Sequence, residues 1–253
     1  MPYVFADTDV AGRRLALVAE VFAPATVAFL RDAVPRPPAL AVDLGCGPGH
    51  TTRLLASVLR PGRTVGLDAS SRFVDAARAA GGDHIEFQVH DVTSVPFPTP
   101  PAELLHCRFL LSHLADPATA LATWATQLVP GGRLLVTEVD AIRTSRPTFA
   151  TYLEIVDGLL ASTGGRLYVG RTLDAVHRRR TTSRIATLAV PNRRAAAMFA
   201  LNLPSWRDQA YVRAHYDDET LARIASELDE LAAASADVSE ITWELRELVI
   251  EHA

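Results

Sequence analysis

The chain contains no lysine, and all 25 of its basic residues are arginine. This excludes any mechanism that needs a catalytic lysine amine. Cysteine is also scarce: Cys46 and Cys107 are the only two, and neither belongs to a CxxC motif or to a Cys/His ligand spacing. A disulfide scaffold is therefore excluded, reduced thiols are expected, and no metal site is predicted.

Long apolar runs and a strong charge bias are missing as well. No apolar segment approaches the roughly 18 to 20 residues that cross a bilayer, and the first residues lack a basic region that leads into an apolar one. We therefore expect a cytoplasmic protein with no membrane partner. The net charge of −4 at pH 7 gives no overall attraction to a polyanion, so nucleic acid is not an expected partner.

One local exception to this charge balance is an arginine-rich region between Arg166 and Arg194. Its side chains could attract a carboxylate, a phosphate or RNA. In a protein without lysine, the favoured interpretation is a solvated surface.

The composition that is present fits one large globular domain. The chain has 253 residues, of which 49% are hydrophobic and 21% are charged. We expect a single domain over residues 1–253. Its parts are N-terminal helices (1–38), a central core (39–140), and lid helices with the final strands (141–253).

Between Leu40 and Asp140, short aliphatic runs alternate with helical stretches, which is typical of βα units in a doubly wound, mostly parallel sheet. The predicted strands of this core are Leu40–Leu44, Thr64–Asp68, Ile85–His90, Leu104–Arg108 and Arg133–Glu138. Its predicted helices are Thr51–Leu59, Ser71–Ala80 and Ala118–Leu128.

Outside the core the same patterns predict further elements. One or two helices are expected over Thr8–Val34, with Pro24 as the first residue of the second helix. The remaining expected elements are helices over Thr148–Ser162 and Asp217–Leu231 and strands over Arg184–Val190 and Ile241–Leu245.

A glycine-rich segment, VDLGCGPGH from Val42 to His50, ends the first predicted strand and opens a helix. Gly45, Gly47 and Gly49 allow the backbone to approach a ligand closely. A tight strand-to-helix connection without a ligand is the alternative.

Three acidic residues accompany this loop. Asp68 closes the second strand, where a carboxylate can accept hydrogen bonds from both hydroxyls of a ribose. Asp91 closes the third strand, within reach of an adenine edge. Asp43 lies inside the first strand, where burial is costly unless the carboxylate binds backbone amides or a cationic ligand group.

Together these segments resemble a class I S-adenosylmethionine-dependent methyltransferase, of the type that acts on small molecules in bacterial natural-product biosynthesis. The similar segments are VDLGCGPGH, VGLDAS from Val65, HDVTSVPF from His90, LLHCRFLLSHLADP from Leu104 and LVPGGRLLVTEVD from Leu128. The resemblance covers about Leu40 to Asp140.

The resemblance implies a Rossmann-like, doubly wound sheet of seven strands, mostly parallel with an antiparallel last strand, plus a helical lid. It implies S-adenosylmethionine as the cofactor, with S-adenosylhomocysteine as the product. The three glycines would hold the methionine and ribose, Asp68 with Ala69 the ribose hydroxyls, and Asp91 with Val92 the adenine. The resemblance also implies cofactor contacts by Asp43 and by the backbone of Arg108, and it leaves the role of the Arg108 guanidinium open. Tyr3 is expected to fold over the site.

A nicotinamide dinucleotide is the alternative cofactor. A G-x-G-x-x-G fingerprint that starts at Gly45 would need glycine at position 50, where the chain has His50. The spacing therefore disfavours a dehydrogenase.

Methyl transfer is an in-line displacement, so its main requirements are positioning and exclusion of water. An acceptor that carries a proton also needs a base. Residues just past the fourth and fifth strands face the substrate in this fold, which makes His113, Glu138 and Asp140 the catalytic candidates. Each has a structural alternative: His113 as a packed loop residue, and the two acids as braces of the lid. His106 is expected to be structural.

The acceptor is predicted to be a small, partly hydrophobic organic molecule. Aromatic and other large side chains after residue 148 can line an apolar pocket, although core packing explains about half of them equally well: Phe149, Tyr152, Tyr168, Met198, Phe199, Trp206 and Tyr211. The chain lacks the NPPY or DPPY motif of nucleobase amino-methyltransferases. The alternatives are an RNA or protein methyltransferase and a cofactor-binding cyclase or sensor that transfers no methyl group. The oligomeric state is open, and a homodimer is one option.

Overall fold

The computed structural model describes residues 8–175, 180–235 and 239–253. In this part of the chain, seven strands form one sheet: β1 (Leu40–Leu44), β2 (Arg63–Asp68), β3 (Ile85–Val89), β4 (Ala102–Arg108), β5 (Leu128–Arg143), β6 (Thr181–Pro191) and β7 (Glu240–Glu251). The α-helices are α1 (Asp9–Ala33), α2 (His50–Leu59), α3 (Ser71–Ala79), α4 (Pro117–Ala125), α5 (Pro147–Ser162), α6 (Asn192–Trp206), α7 (Ala210–His215) and α8 (Asp218–Ala233). Two 3-10 helices cover Leu111–His113 and Val169–Ala175.

The strand order is β3-β2-β1-β4-β5-β7-β6. Strands β1 to β5 run parallel, and β7 is antiparallel to both β5 and β6. At the sheet centre Val42 pairs with Val65 on one side and with Leu105 on the other, and all three are fully buried. The prediction of a mostly parallel seven-stranded sheet with an antiparallel last strand is confirmed.

The N-terminal region is one helix, and Pro24 lies inside it. The expectation that Pro24 opens a second helix is therefore wrong. Proline removes one backbone N–H, but packing of the flanking turns keeps α1 continuous, with Phe22 and Phe29 both buried. The helix begins at the cap Thr8, whose hydroxyl accepts the N–H of Ala11.

Most other predicted elements agree with the structure to within a few residues. Strands β5 and β7 are both much longer than predicted, because they pair with each other well beyond the predicted Arg133–Glu138 and Ile241–Leu245. Helices α6 and α7 were not predicted. Helix α6 packs mainly on α8 and α1, and it includes an internal proline, Pro204, which weakens the helical signal in the sequence.

Parallel strands place their carboxyl ends at one edge of the sheet, and helices α1, α5 and α6 rise over this edge. The segments that follow β1, β2, β3 and β4 therefore meet there. Among the helices that the structure describes, none is long and apolar enough to cross a membrane.

Candidate active site

A cavity of about 1180 Å³ opens at the carboxyl edge of the sheet. On one side it is lined by the glycine loop and the ends of β2, β3 and β4. Its lining also includes a set of large side chains from α1, α5, α6 and β7, which we call the apolar wall: Phe22, Tyr152, Val156, Met198, Phe199 and Trp243. The cavity lining thus combines polar groups at strand ends with large side chains from three helices and β7.

The glycine loop needs its glycines for different reasons. Gly45 and Gly47 have φ of +67° and +52° and line the cavity. A Cβ on Gly47 would meet only Leu15, at 3.6 Å, so the backbone faces open space that a ligand can fill. A Cβ on Gly49 would come within 2.6 Å of the Phe87 ring. Gly49, predicted to hold the cofactor, instead allows close packing below the loop and does not line the cavity.

Asp68 and Asp91 stand on the polar side of the cavity, as predicted. The Asp68 carboxylate accepts the Gly47 N–H at 2.8 Å and the Ser70 N–H at 2.8 Å, which ties the end of β2 to the glycine loop. Asp91 is exposed, and its pKa is lowered by hydrogen bonds from the hydroxyl and N–H of Thr93. The Asp91 carboxylate is therefore ionised at neutral pH.

Ala69 and Val92 line the cavity beside these acids. Val92 is buried, and its carbonyl accepts the indole N–H of Trp124 at 2.8 Å. The structure therefore holds an apolar side chain next to Asp91. This is the position in which the flat face of an adenine would need an apolar contact.

Asp43 does not line the cavity, contrary to its predicted role as a cofactor contact. The carboxylate is 2% exposed and accepts hydrogen bonds from the Thr52 hydroxyl at 2.7 Å and from His106 Nδ1 at 2.8 Å. These partners satisfy the buried charge, which the sequence had left without an identified partner. Asp43 and His106 thus brace β1, β4 and α2, and the structural assignment of His106 agrees with its full burial.

Arg108 extends from the end of β4 into the cavity wall. Its guanidinium donates to the Thr26 hydroxyl at 3.0 Å and lies 5.5 Å from the centre of the Phe109 ring. Desolvation lowers its pKa to about 10, and the nearby charge of Asp43 only partly opposes this. No ion pair joins Arg108 to any residue that the structure describes. A cation in this position can take a ligand anion.

Two of the three catalytic candidates, Glu138 and Asp140, do not line the cavity. Glu138 is fully buried, and its Oε1 accepts the N–H groups of Leu110 and Leu111, both at 2.7 Å. Burial raises the pKa of Glu138 to about 8. Asp140 pairs with Arg246 of β7 at 2.8 Å, so it braces the sheet. Val139, between these two acids, is the residue of β5 that lines the cavity.

His113 is the catalytic candidate that the structure brings to the cavity. It ends the 3-10 helix that follows β4 and that Glu138 anchors from below. Burial, followed by the charge of Arg14, lowers the pKa of His113 to about 4. The imidazole is therefore neutral at pH 7 and can accept a hydrogen bond or a proton.

Two polar side chains at the cavity, Arg14 and Asn202, were missed by sequence reasoning, and a third, Tyr152, was predicted only as part of an apolar pocket. Arg14 on α1 is 9% exposed and lines the cavity. The Tyr152 hydroxyl accepts a hydrogen bond from the Asn202 amide at 2.8 Å, and both residues line the cavity. The signal for Arg14 was available: Arg14, Val18 and Phe22 are spaced four residues apart on the buried face of a helix.

The other predicted pocket residues divide between cavity and core. Tyr152, Met198 and Phe199 line the cavity, whereas Phe149 and Trp206 are fully buried in the core cluster beneath it. Tyr168 and Tyr211 pack at the edge of this cluster. Core packing thus explains four of the seven.

Three of the six arginines that the structure describes in the arginine-rich region form ion pairs. Arg180 pairs with Glu251, Arg184 with Asp32 and Glu247, and Arg194 with Glu20. Such pairs reduce the positive field that an RNA backbone would need. Arg178, Arg179 and the cofactor candidate Tyr3 lie outside the described residues.

Comparison with known proteins agrees with this geometry. Residues 42–136 match the family described as "Methyltransferase domain". Trans-aconitate 2-methyltransferase of Methylobacterium nodulans is 39% identical over 104 residues, a match that covers 41% of this chain and 39% of the relative. The chain therefore spans less than half the length of this relative.

Two solved structures share the fold. Phosphoethanolamine N-methyltransferase 2 of Haemonchus contortus, in complex with S-adenosyl-L-methionine, aligns with a TM-score of 0.54 at 17% identity, covering 91% of this chain and 53% of that one. The cyclopropane synthase MmaA2 of Mycobacterium tuberculosis aligns with a TM-score of 0.59 at 14% identity, covering 90% and 83%.

The fold and the glycine loop define the class I methyltransferase architecture. Residues 42–136 match the methyltransferase domain family, whose cofactor is S-adenosylmethionine. The predictions of the family and of its cofactor are confirmed.

Proposed function

We propose that the protein transfers a methyl group from S-adenosylmethionine to a small organic acceptor. The observation that carries the proposal is the order of groups along the sheet edge. The order β3-β2-β1-β4 places Asp91, Asp68, the glycine loop and Arg108 in succession. Neighbouring strands lie about 4.8 Å apart, so this row has the length of an extended nucleoside joined to an amino acid.

The residues in this row fit the chemical groups of the cofactor in the same order. Asp91 and Val92 would hold the adenine, and Asp68 with Ala69 the ribose. Gly47 leaves room for the chain that bears the sulfur, and Gly45 lines the cavity beside it. The guanidinium of Arg108, which has no ion pair among the described residues, suits the amino-acid carboxylate, a role beyond the backbone contact that the resemblance implied.

When bound, S-adenosylmethionine supplies a methyl group on a sulfonium, which an acceptor can attack in line. The protein contributes positioning and a site from which water is excluded. Its apolar wall suits a partly hydrophobic acceptor. Tyr152 stacks on Phe199 with ring centres 4.2 Å apart, and Phe22 meets Trp243 edge to face at 5.6 Å.

His113 is the residue that we propose as the base. Its neutral imidazole lies at the cavity and can take the proton that an O–H or N–H acceptor loses. Because its pKa is about 4, His113 is a weak base, so it suits an acceptor whose own proton is acidic.

The boundaries of the activity are also proposals. We assign the whole chain to one domain that includes the helical lid, since α1, α5, α6 and β7 all contribute to the cavity. A role in bacterial natural-product biosynthesis fits a small-molecule acceptor. A cytoplasmic location and a homodimer stay predictions.

The test is transfer of label from methyl-labelled S-adenosylmethionine to a set of small phenols and carboxylic acids, with bulk RNA and denatured protein as comparison substrates. We expect label in a small-molecule product and an equal amount of S-adenosylhomocysteine, and no transfer by Asp68→Ala. Label in RNA or protein would contradict the proposed acceptor class. Binding of S-adenosylhomocysteine without transfer to any substrate would instead indicate a cyclase or sensor.

A further inference from the structure

The 3-10 helix that ends at His113 is held by two segments that lie far from it in the chain. Glu138 of β5 accepts the first N–H groups of this helix, both at 2.7 Å. The N–H of Arg166, in the segment after α5, donates to the carbonyl of Ser112 at 2.9 Å. Hydrogen bonds from β5 and from the end of α5 thus hold the backbone that carries His113.

The chain enters this 3-10 helix through an uncommon backbone conformation. Phe109, the residue after β4, has φ of +55°, in a region that residues with a side chain seldom occupy. Such a conformation persists only where the surrounding structure determines it. The Phe109 N–H donates to the carbonyl of Thr137 on β5 at 3.0 Å. The path that brings His113 to the cavity therefore depends on contacts from outside the 3-10 helix.

Helix α5 ends in a Schellman motif, which sets the position of the residues that follow it. The N–H of Gly164 donates to the carbonyl of Ala161 at 3.1 Å. The N–H of Gly165 donates to the carbonyl of Leu160 at 2.9 Å. Gly164 has φ of +87°, the left-handed conformation that this motif requires just beyond the helix cap. Arg166 comes next, so the position of its N–H is set by the end of α5.

Gly165 is the residue on which this contact depends. It is buried, and a Cβ at this position would overlap the carbonyl oxygen of Ser112, a backbone atom that cannot rotate away. The adjacent Gly164 is exposed, and a Cβ there would meet only the Cβ of Ala115, at 3.7 Å. The two glycines thus differ in role: Gly164 permits the left-handed turn, and Gly165 permits the close approach to the helix of His113.

The contact lies at the wall of the cavity. Ser112 and His113 line the cavity, and so does Thr163 at the end of α5. Helix α5 also contributes Tyr152 and Val156 to the apolar wall. The hydrogen bond to the Ser112 carbonyl therefore ties a helix of the apolar wall to the 3-10 helix that carries the proposed base.

We propose that Gly165 is a positioning residue for His113. By allowing the Arg166 N–H to bind the Ser112 carbonyl, it fixes the imidazole relative to α5 and hence relative to an acceptor that lies against the apolar wall. Its role is positioning and not chemistry, because Gly165 does not line the cavity. The inference rests on the proposed function, in which His113 is the base.

The experiment compares Gly165→Ala with the matched control Gly164→Asn, since asparagine tolerates a left-handed turn. The full-length protein carries isotopically labelled histidine and is saturated with S-adenosylhomocysteine, and NMR follows each imidazole between about pH 5 and 8. His113→Asn identifies the signal of His113 by its loss. Thermal unfolding checks that each variant is folded.

The titration of His113 reports its position. Burial, followed by the charge of Arg14, lowers its pKa to about 4, so the wild-type imidazole should stay neutral over this range. Gly165→Ala should displace the 3-10 helix and admit water, so that the pKa rises toward the ordinary value of about 6.5 and the imidazole titrates. Gly164→Asn should titrate like the wild type.

Two further measurements support the comparison. In the label-transfer assay, Gly165→Ala should lower kcat about tenfold or more, because the base is misplaced, and leave the affinity for S-adenosylhomocysteine unchanged. In the wild-type protein, amide hydrogen exchange tests the contact without any variant. The Arg166 amide should be protected about 100-fold or more, although its side chain is exposed.

The inference is overturned if the two glycine variants leave the His113 titration alike, or if the Arg166 amide exchanges as fast as an open one. In either case the proposed function stands as long as the wild-type protein transfers label. Absence of transfer by the wild-type protein would overturn the proposed function itself, whatever the titration of His113 shows.

Discussion

Replacement of Asp68 by alanine tests the cofactor site at the residue on which it most depends. The carboxylate already accepts N–H groups from Gly47 and Ser70, so its position is fixed before a ligand arrives. We expect Asp68→Ala to remove two charge-assisted hydrogen bonds to a ribose, each contributing about 1.5 kcal/mol or more. The dissociation constant for S-adenosylhomocysteine should then rise by about 100-fold.

Two further variants make this measurement specific. Asp68→Asn keeps one acceptor oxygen and should weaken binding by about tenfold. Asp217→Ala is the matched control, because Asp217 is an exposed carboxylate that caps α8 away from the cavity. Calorimetry gives the affinities, and thermal unfolding checks that each variant is folded. Unchanged affinity in a folded Asp68→Ala protein would refute the assignment.

Three other predictions concern stability and catalysis. Burial raises the pKa of Glu138 to about 8, so the folded state holds a proton that the unfolded state loses near pH 4.5, and stability falls as pH rises between these values. Urea unfolding measures the difference in free energy of unfolding between Glu138→Gln and the wild type. From pH 5 to 8 this difference should shift in favour of the variant by up to about 1.4 kcal/mol per pH unit. A difference that does not change with pH would contradict the prediction. Gly49→Ala should lower the free energy of unfolding by about 2 to 4 kcal/mol, because its Cβ meets the Phe87 ring. Gly131→Ala, also at positive φ but with open space around it, should lower it by only about 1 kcal/mol. Equal losses in the two variants would contradict the packing argument. Once an acceptor is identified, His113→Asn should lower kcat by about 100-fold or more, measured by steady-state kinetics. Calorimetry should show an unchanged affinity for S-adenosylhomocysteine. An unchanged kcat would contradict the assignment of His113 as the base.

The sheet and the row of strand ends could be predicted because they depend on local patterns. Aliphatic strands, the glycine loop and an acid at a strand end are each visible within about ten residues of sequence. Asp68 and Asp91 were found for this reason. Their shared location follows from the rule that parallel strands end at one edge.

The errors arise where a single residue step or a distant partner decides the outcome. Glu138 and Val139 are neighbours on β5, and alternation along a strand sends one into the core and the other to the cavity. Asp140 is paired by Arg246, more than a hundred residues later in the chain. Asp43 is satisfied by His106 from a neighbouring strand. These partners are brought together only by the tertiary fold.

The central claim is that the cavity binds S-adenosylmethionine through the glycine loop and the strand-end acids. The most direct test is a calorimetric titration of the purified protein with S-adenosylhomocysteine, with NADH as the comparison ligand. The account predicts micromolar, one-to-one binding of S-adenosylhomocysteine and none of NADH. Binding of NADH, or of neither ligand, would contradict it.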